Sequence, residues 1–469
     1  MADKPPADSR YRLRARWLVA LACCVGACGD QAAPAPSATV SGSISQGEED
    51  VPLDLPAPVG LPRLESTELP NAALRDRPAT EARPRCDVHG VFCVHDARTD
   101  EEAAALLSVA NGALATYRAL GLPRLPYDAP LGGDARTDIY VRDAEPYANA
   151  FADPGSATSG FDEGTSFIVT PPLRPGCHDR QALAGAVARA LLFGEDAALE
   201  PNAASMLGDY LAVRAEPCSL AELEAIDTAQ RSPERTFTGE RGERGAASFL
   251  FPWFLEDRYG TGAPGMLTFA LAAISSQKTT KGPLIDEPDV FDALRVTQRR
   301  NRTSLAETLL EFAIHRAFIG SRSDETHMVD VAKYGDLGRV RIEWNVPYTS
   351  LPRTFKPLRP IEPLGATYLY IDLAGTNAES EITFVVDWEP PVGFRWAVVK
   401  IDESGSELGR KEYEPILGSS HLEATIRDLA GAKALLVVGI NEGESRRDEP
   451  FDPGRLREAA KSYVITFAQ

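Results

Sequence analysis

"AGAVARALLFGEDAALEPNAASMLGDYLAVR", residues 184–214, decides how this chain is read. Its apolar residues recur at helical spacing on both sides of an acidic turn, which predicts helices near 179–193 and 202–215. Gly, Ala, Val, Leu and Phe fill the facing positions, as a helix–helix contact requires. The stretch contains no histidine. Arg189 is the one polar side chain inside the first apolar run. A buried cation needs a carboxylate partner, and Glu195, Asp196, Glu200 or Asp209 is expected to supply it.

The full chain has 469 residues, enough for two or three domains. Its hydrophobic and charged fractions, 43% and 25%, are those of a globular protein. The formal net charge of -19 and the absence of a Lys/Arg stripe argue against a nucleic-acid partner. No run of apolar residues is long enough to span a membrane as a helix.

The first residues read as an export signal. Lys4, Arg10, Arg12, Arg14 and Arg16 precede a short apolar segment, Trp17 to Ala27. "VGAC", Val25 to Cys28, resembles a bacterial lipobox, which implies lipidation at Cys28; an ordinary secretory signal is the alternative. Gly29 follows Cys28 and the acidic residue comes one later, at Asp30, which favours an outer-membrane over an inner-membrane destination. The expected partners are thus membrane lipid, through Cys28, and a protein or peptide whose identity the sequence does not give. Residues 1–28 are read as the signal and 29–84, rich in Pro, Ala, Ser and Gly, as a disordered tether. Beyond the signal lie Cys86, Cys93, Cys177 and Cys218. An even number in an exported chain suggests disulfides, with Cys86–Cys93 and Cys177–Cys218 favoured among the three possible pairings.

The fold class expected is α+β. Residues 85–335 carry a few short strands ("VFCVHD", "TDIYVRD", "TSFIVTP") and then many helices. Thr99 with Glu102, Ser219 with Glu222 and Ser304 with Glu307 have capping-box spacing. Residues 336–469 switch to period two. About seven strands, from "RVRIEW" to "SYVITFA", predict a β-sandwich.

"LPRLPYDAPLGGDARTDIYV", residues 122–141, resembles a segment of exported bacterial metallopeptidase-like proteins of the gluzincin type, as do "GAASFLFPWFLEDRYG" and "EFAIHRAFIGSR" by order and shape. The resemblance spans roughly 85–469 and implies a zincin-like first domain. Active members carry HExxH. Two histidines at i and i+4 share a helix face and bind zinc, and the glutamate serves as general base.

No register supplies that set. Aligned on "GAVAR", the positions hold Gly185, Ala186 and Arg189, and the downstream glutamate falls near Ser205. Aligned on "RALLF", they hold Arg189, Ala190 and Phe193. "HDRQA" offers His178 and Asp179, but Ala182 stands in the second histidine's place. The expectation is a degenerate site with no catalytic residue, no metal and no cofactor, in which Arg189 and a carboxylate replace the ion.

The other histidines do not restore it. His89 and His95 flank a disulfide candidate, Glu311 and His315 have the spacing of a helix salt bridge, His327 falls in a polar loop and His421 in the β-region. "GTGAPG" follows a helix rather than a strand and reads as a turn. No G-x-S-x-G, Walker A or EF-hand loop occurs. The function expected is therefore non-catalytic binding or scaffolding at the cell envelope. Two rivals stand beside it: a zinc peptidase with a non-standard ligand set, and an adhesive protein acting through its β-domain.

Overall fold

The computed structural model describes residues 75–80, 83–87, 90–125, 128, 131–133, 135–153, 164–236, 249–260, 265–275, 290–324, 326–328, 338–377, 379–416, 418–444 and 460–469. Cys28, the signal, most of the tether, His89 and the centre of "GTGAPG" lie outside these residues.

The first part is built on a five-stranded sheet of order β1-β2-β3-β5-β4. These strands are β1 (Arg85–Cys86), β2 (Phe92–His95), β3 (Thr137–Val141), β4 (Asn149–Ala152) and β5 (Ser166–Thr170). β2, β3 and β5 are parallel neighbours, and β1 and β4 close the edges antiparallel. β2, β3 and β5 are buried at every position, as parallel strands covered on both faces must be. β4, "NAFA", is too short to give a periodic signal and was not anticipated.

Helix α1 (Asp100–Ala119) starts at Thr99, whose hydroxyl accepts the Glu102 N–H at 3.1 Å. The Glu102 carboxylate reaches back one residue further than a capping box would place it, to the Arg98 N–H. Gly121, at φ +92°, ends the helix with the paired bonds Gly121 N–H to Arg118 and Leu122 N–H to Tyr117. α2 (Cys177–Glu195) and α3 (Pro201–Ala215) follow, as the opening stretch requires. α4 (Ser219–Gln230) does not use Ser219 as its cap: that place falls to Cys218, whose sulfur is in a disulfide, and Glu222 instead accepts the Cys218 N–H at 2.8 Å. α5 (Leu250–Tyr259), α6 (Met266–Ala273), α7 (Val290–Asn301) and α8 (Leu305–Ala317) complete the helices. Ser304 and Glu307 cap α8 reciprocally, as expected.

Both favoured disulfides form. Cys86 and Cys93 are register partners across β1 and β2. Cys177–Cys218 ties the start of α2 to the residue before α4, enclosing the α2–α3 pair.

The second part is two facing sheets. One has the order β11-β10-β13-β8-β6, the other β12-β9-β14-β7. The strands are β6 (Trp344–Pro347), β7 (Arg353–Phe355), β8 (Ala366–Asp372), β9 (Ile382–Trp388), β10 (Val392–Ile401), β11 (Glu407–Tyr413), β12 (His421–Ile426), β13 (Ala434–Glu444) and β14 (Tyr463–Ala468). β6 begins at the last residue of the predicted "RVRIEW" strand. β7 and β11 had no sequence signal: one is three residues long, and the other, "ELGRKEY", is exposed along most of its length. Between the sheets lie Leu369, Phe384, Trp396, Val437, Ile465 and Phe467.

The central strands β8, β10 and β13 of the first of these sheets are buried on both faces. Leu435 and Val437 of β13 point into the sandwich, whereas Leu436, Val438 and Ile440 belong to the core of the helical part. β10 divides the same way, with Trp396 and Val398 on one side and Ala397, Val399 and Ile401 on the other. Tyr368 of β8 donates its hydroxyl to the Ala313 carbonyl of α8 at 2.8 Å. The expected boundary at residue 336 is therefore spanned by one hydrophobic core. Two-sided burial also explains why "ALLVVGI" is a continuous apolar run rather than an alternating one.

Candidate functional site

α2 is a helix of small residues, buried from Leu183 to Gly194. Tyr117 of α1 donates to the Ala184 carbonyl at 2.8 Å, and the Ser166 hydroxyl of β5 donates to the Ala190 carbonyl at 2.6 Å. Its remaining face meets α3 at two glycines. A Cβ on Gly208 would stand 2.7 Å from Cγ of Arg189 and 3.3 Å from the Gly185 carbonyl. A Cβ on Gly185 would meet Arg189 Nη1 at 3.2 Å and Ala212 Cβ at 3.4 Å. The missing side chains are the space that Arg189 fills.

Arg189 is 1% exposed. Its Nη1 lies 3.1 Å from Asp209 Oδ1, its Nε donates to Asn149 Oδ1 at 3.1 Å, and its Nη2 donates to the Ala148 carbonyl at 3.2 Å. Three elements converge on it: α2 provides the cation, α3 the carboxylate, and the edge strand β4 with the residue before it the neutral acceptors. Of the four carboxylates the sequence offered, Asp209 meets the guanidinium. Asp196 instead accepts the Ala198 N–H at 2.9 Å, and Glu200 accepts from Asn202 at 2.8 Å. A guanidinium has donors and no acceptor, so it cannot bind a cation.

The remaining positions of the expected zinc set fall as follows. Gly185, Ala186 and Ser205 are buried within the same helix pair. His178 is at the exposed start of α2, with a side chain 68% open to solvent. Asp179 is held by the Arg174 guanidinium at 2.8 and 2.9 Å, which keeps its carboxyl below the usual range. The "HDRQA" frame therefore forms no site. Among the described residues, no three His, Cys, Asp or Glu side chains gather as a metal would require.

A second polar centre was missed. Arg77, in the segment read as tether, is inserted into the first part. Its Nη2 donates to Asp128 at 2.6 Å, its Nη1 to Asp138 at 2.5 Å and its Nε to Asp153 at 2.6 Å. His95 Nε2 lies 2.8 Å from the other oxygen of Asp138, and the His95 ring stacks on Tyr140 at 4.7 Å. Burial raises the Asp128 carboxyl to about 6 against the opposing pull of Arg77. Burial also depresses Arg77, but the three carboxylates outweigh it and leave the guanidinium above its ordinary value. Gly132, at φ +74°, passes so close that a Cβ there would sit 1.6 Å from Asp138 Oδ2. Asp128, Gly132, Asp138 and Tyr140 all belong to the quoted 122–141 segment, so that motif is the wall of a charge cluster. The folded body begins by residue 75, and the expected tether boundary at 84 moves back accordingly.

The third centre lies at the seam. His327, placed in a loop as expected, is nevertheless buried. It stacks on Phe318 at 4.1 Å and faces Asp324 through Nδ1 and Glu407 of β11 through Nε2, both at 2.9 Å. Burial opposes its protonation, but the two carboxylates prevail and raise it above its ordinary value. His315 of α8, 4.6 Å from the His327 ring, is lowered to about 3, first by burial and then by His327, with Arg410 and Arg258 adding to the effect. It is therefore neutral, and its 3.9 Å approach to Glu311 is not the expected salt bridge; Arg258 takes Glu311 at 2.7 Å.

The two histidines act with opposite sign. The stability from His327 is complete below pH 6.5 and is lost as pH rises through its raised folded-state value. That from His315 is complete above 6.5 and is lost as pH falls toward 3. Melting curves of His327→Gln against the parent should show a larger loss of Tm at pH 6 than at pH 9. An equal loss at both would mean that the imidazolium is not what the two carboxylates hold.

No family model matches the chain, and no curated protein does. Among solved structures, it is similar to the pre-peptidase C-terminal domain of a collagenase from Bacillus anthracis, at 13% identity over 27% of this chain and 96% of that one, with a TM-score of 0.18. It is also similar to the enzymatically active domain of bacteriophage CBA120 tailspike protein 4, at 8% identity over 25% of this chain and 16% of that one, TM-score 0.18. The lectin domain of lectinolysin complexed with Lewis B antigen matches at 14% identity over 25% and 72%, TM-score 0.15. Likenesses this weak assign neither a family nor an activity, and the function is argued from the site.

Proposed function

We propose that this chain is a non-catalytic binding or scaffolding protein of the cell envelope, descended from a gluzincin-like peptidase whose metal has been replaced by an ion pair. The observation that carries the reading is the seat of Arg189. In the register set by "GAVAR", a metal ligand's place holds a buried cation that is met by Asp209 and two neutral acceptors. A zinc peptidase needs neutral or anionic ligands and a carboxylate base there; Gly185, Ala186 and Ser205 provide none. The resemblance of residues 122–141 supports the ancestry. Two disulfides support an oxidising compartment and therefore export. Anchoring through a lipid on Cys28, and an outer-membrane destination, belong to the same proposal. The ligand is an unidentified protein or peptide.

The reading is tested by a peptide-cleavage assay with the full chain, run with added zinc and with chelator. The outcome expected is no cleavage that either additive changes. Chelator-sensitive hydrolysis, restored by zinc, would overturn the reading in favour of a live enzyme with other ligands.

A further inference from the structure

A cavity of about 260 Å³ lies where the end of α8 meets strands β8, β10 and β13. Phe318 and Leu436 give it apolar walls, and Arg322, Arg339, Asn345 and Tyr370 line it with polar groups. Its electrostatics are one-sided. Arg322 is half-buried, yet among the described residues its guanidinium meets only the Val340 carbonyl, at 3.4 Å. Other described arginines near this seam are matched: Arg341 and Arg359 with Glu234, Arg316 with Gln230, and Arg395 with Glu442 and Glu414. The described acids of the neighbouring turns are committed. Asp402 accepts from Ser404 and Ser406, Glu403 pairs with Lys433 at 3.2 Å, and Asp372 accepts the Ala374 N–H. Burial, and then the like charge of Arg339, lower Arg322 to about 10, so it stays protonated at neutral pH.

A half-buried cation that meets no anion among the described residues is costly, and a planar guanidinium fork fits a carboxylate with two parallel bonds. We infer that this cavity binds a carboxylate carried on an apolar body, with Arg322 and Arg339 taking the charge and Phe318 and Leu436 the body. The apolar walls favour a singly charged carboxylate over a phosphate dianion, whose desolvation costs more. A free small acid and the last residue of a peptide both carry this chemistry. The inference does not depend on the fate of the metal.

The test is calorimetric titration of the full chain with N-acetyl-leucine and with a heptapeptide ending in leucine, each as free acid and as C-terminal amide. The expected result is that at least one acid binds, its amide binds tenfold or more weakly, and Arg322→Met weakens the acid by a similar factor while leaving the amide unchanged. Binding of the peptide acid alone would identify a chain terminus as the source. Binding of both acids would show that the small head and body suffice. Equal binding of acid and amide, unchanged binding by Arg322→Met, or no binding of any of the four would overturn the inference. If Arg322→Met does not fold, the acid–amide comparison and Arg339→Gln decide it.

Discussion

Arg77→Met is expected to be strongly destabilising. It would leave Asp128, Asp138 and Asp153 facing one another without their shared cation. Removing one partner from a buried ion pair costs about 3–5 kcal/mol, and three carboxylates depend on this one. For a unit of this size that is a fall in Tm of roughly 5 °C at pH 7. The pH dependence identifies the cause. Without the guanidinium the carboxylates hold their protons more tightly than the unfolded chain does, so acid relieves their repulsion. The deficit should shrink from pH 7 to pH 5. A deficit that stays constant or grows on acidification would show that the loss is one of packing rather than charge.

Arg189→Met should cost about 3 kcal/mol, less than Arg77, because the Asp209 side chain it abandons is 19% exposed and keeps some water. Arg189→Lys should lie between the parent and Arg189→Met, since a single ammonium keeps the charge but cannot serve Asp209, Asn149 and the Ala148 carbonyl from one fork. Arg189→Met combined with Asp209→Leu should recover part of the loss, because a buried pair replaced by apolar groups of similar volume is often neutral. If the double variant is worse than the sum of the singles, Arg189 is not held by Asp209. Thermal melts of the four proteins provide the cycle.

Arg189 was legible in the sequence because one charge inside "GAVARALLF" has no other explanation. Its partner was not, since four carboxylates follow it between residues 195 and 209 and only the crossing of α2 on α3 at Gly185 and Gly208 brings Asp209 forward. Arg77 was hidden because local composition argues for a tether. A single long-range contact leaves no trace in periodicity, although Asp128, Gly132 and Asp138 of its wall stood in a quoted motif. His327 looked like a loop histidine because its second carboxylate, Glu407, is 80 residues away on an exposed strand without an apolar pattern. The strands of the sandwich were readable where they are buried, and unreadable at β7 and β11 on the edges.

The central claim is that an ion pair stands where a metal once did. It is tested most directly by elemental analysis of the full chain, purified without chelator and then equilibrated with zinc and desalted. The account predicts zinc far below one ion per chain and a Tm that chelator does not change. One zinc per chain, with a Tm that falls when the ion is removed, would contradict it.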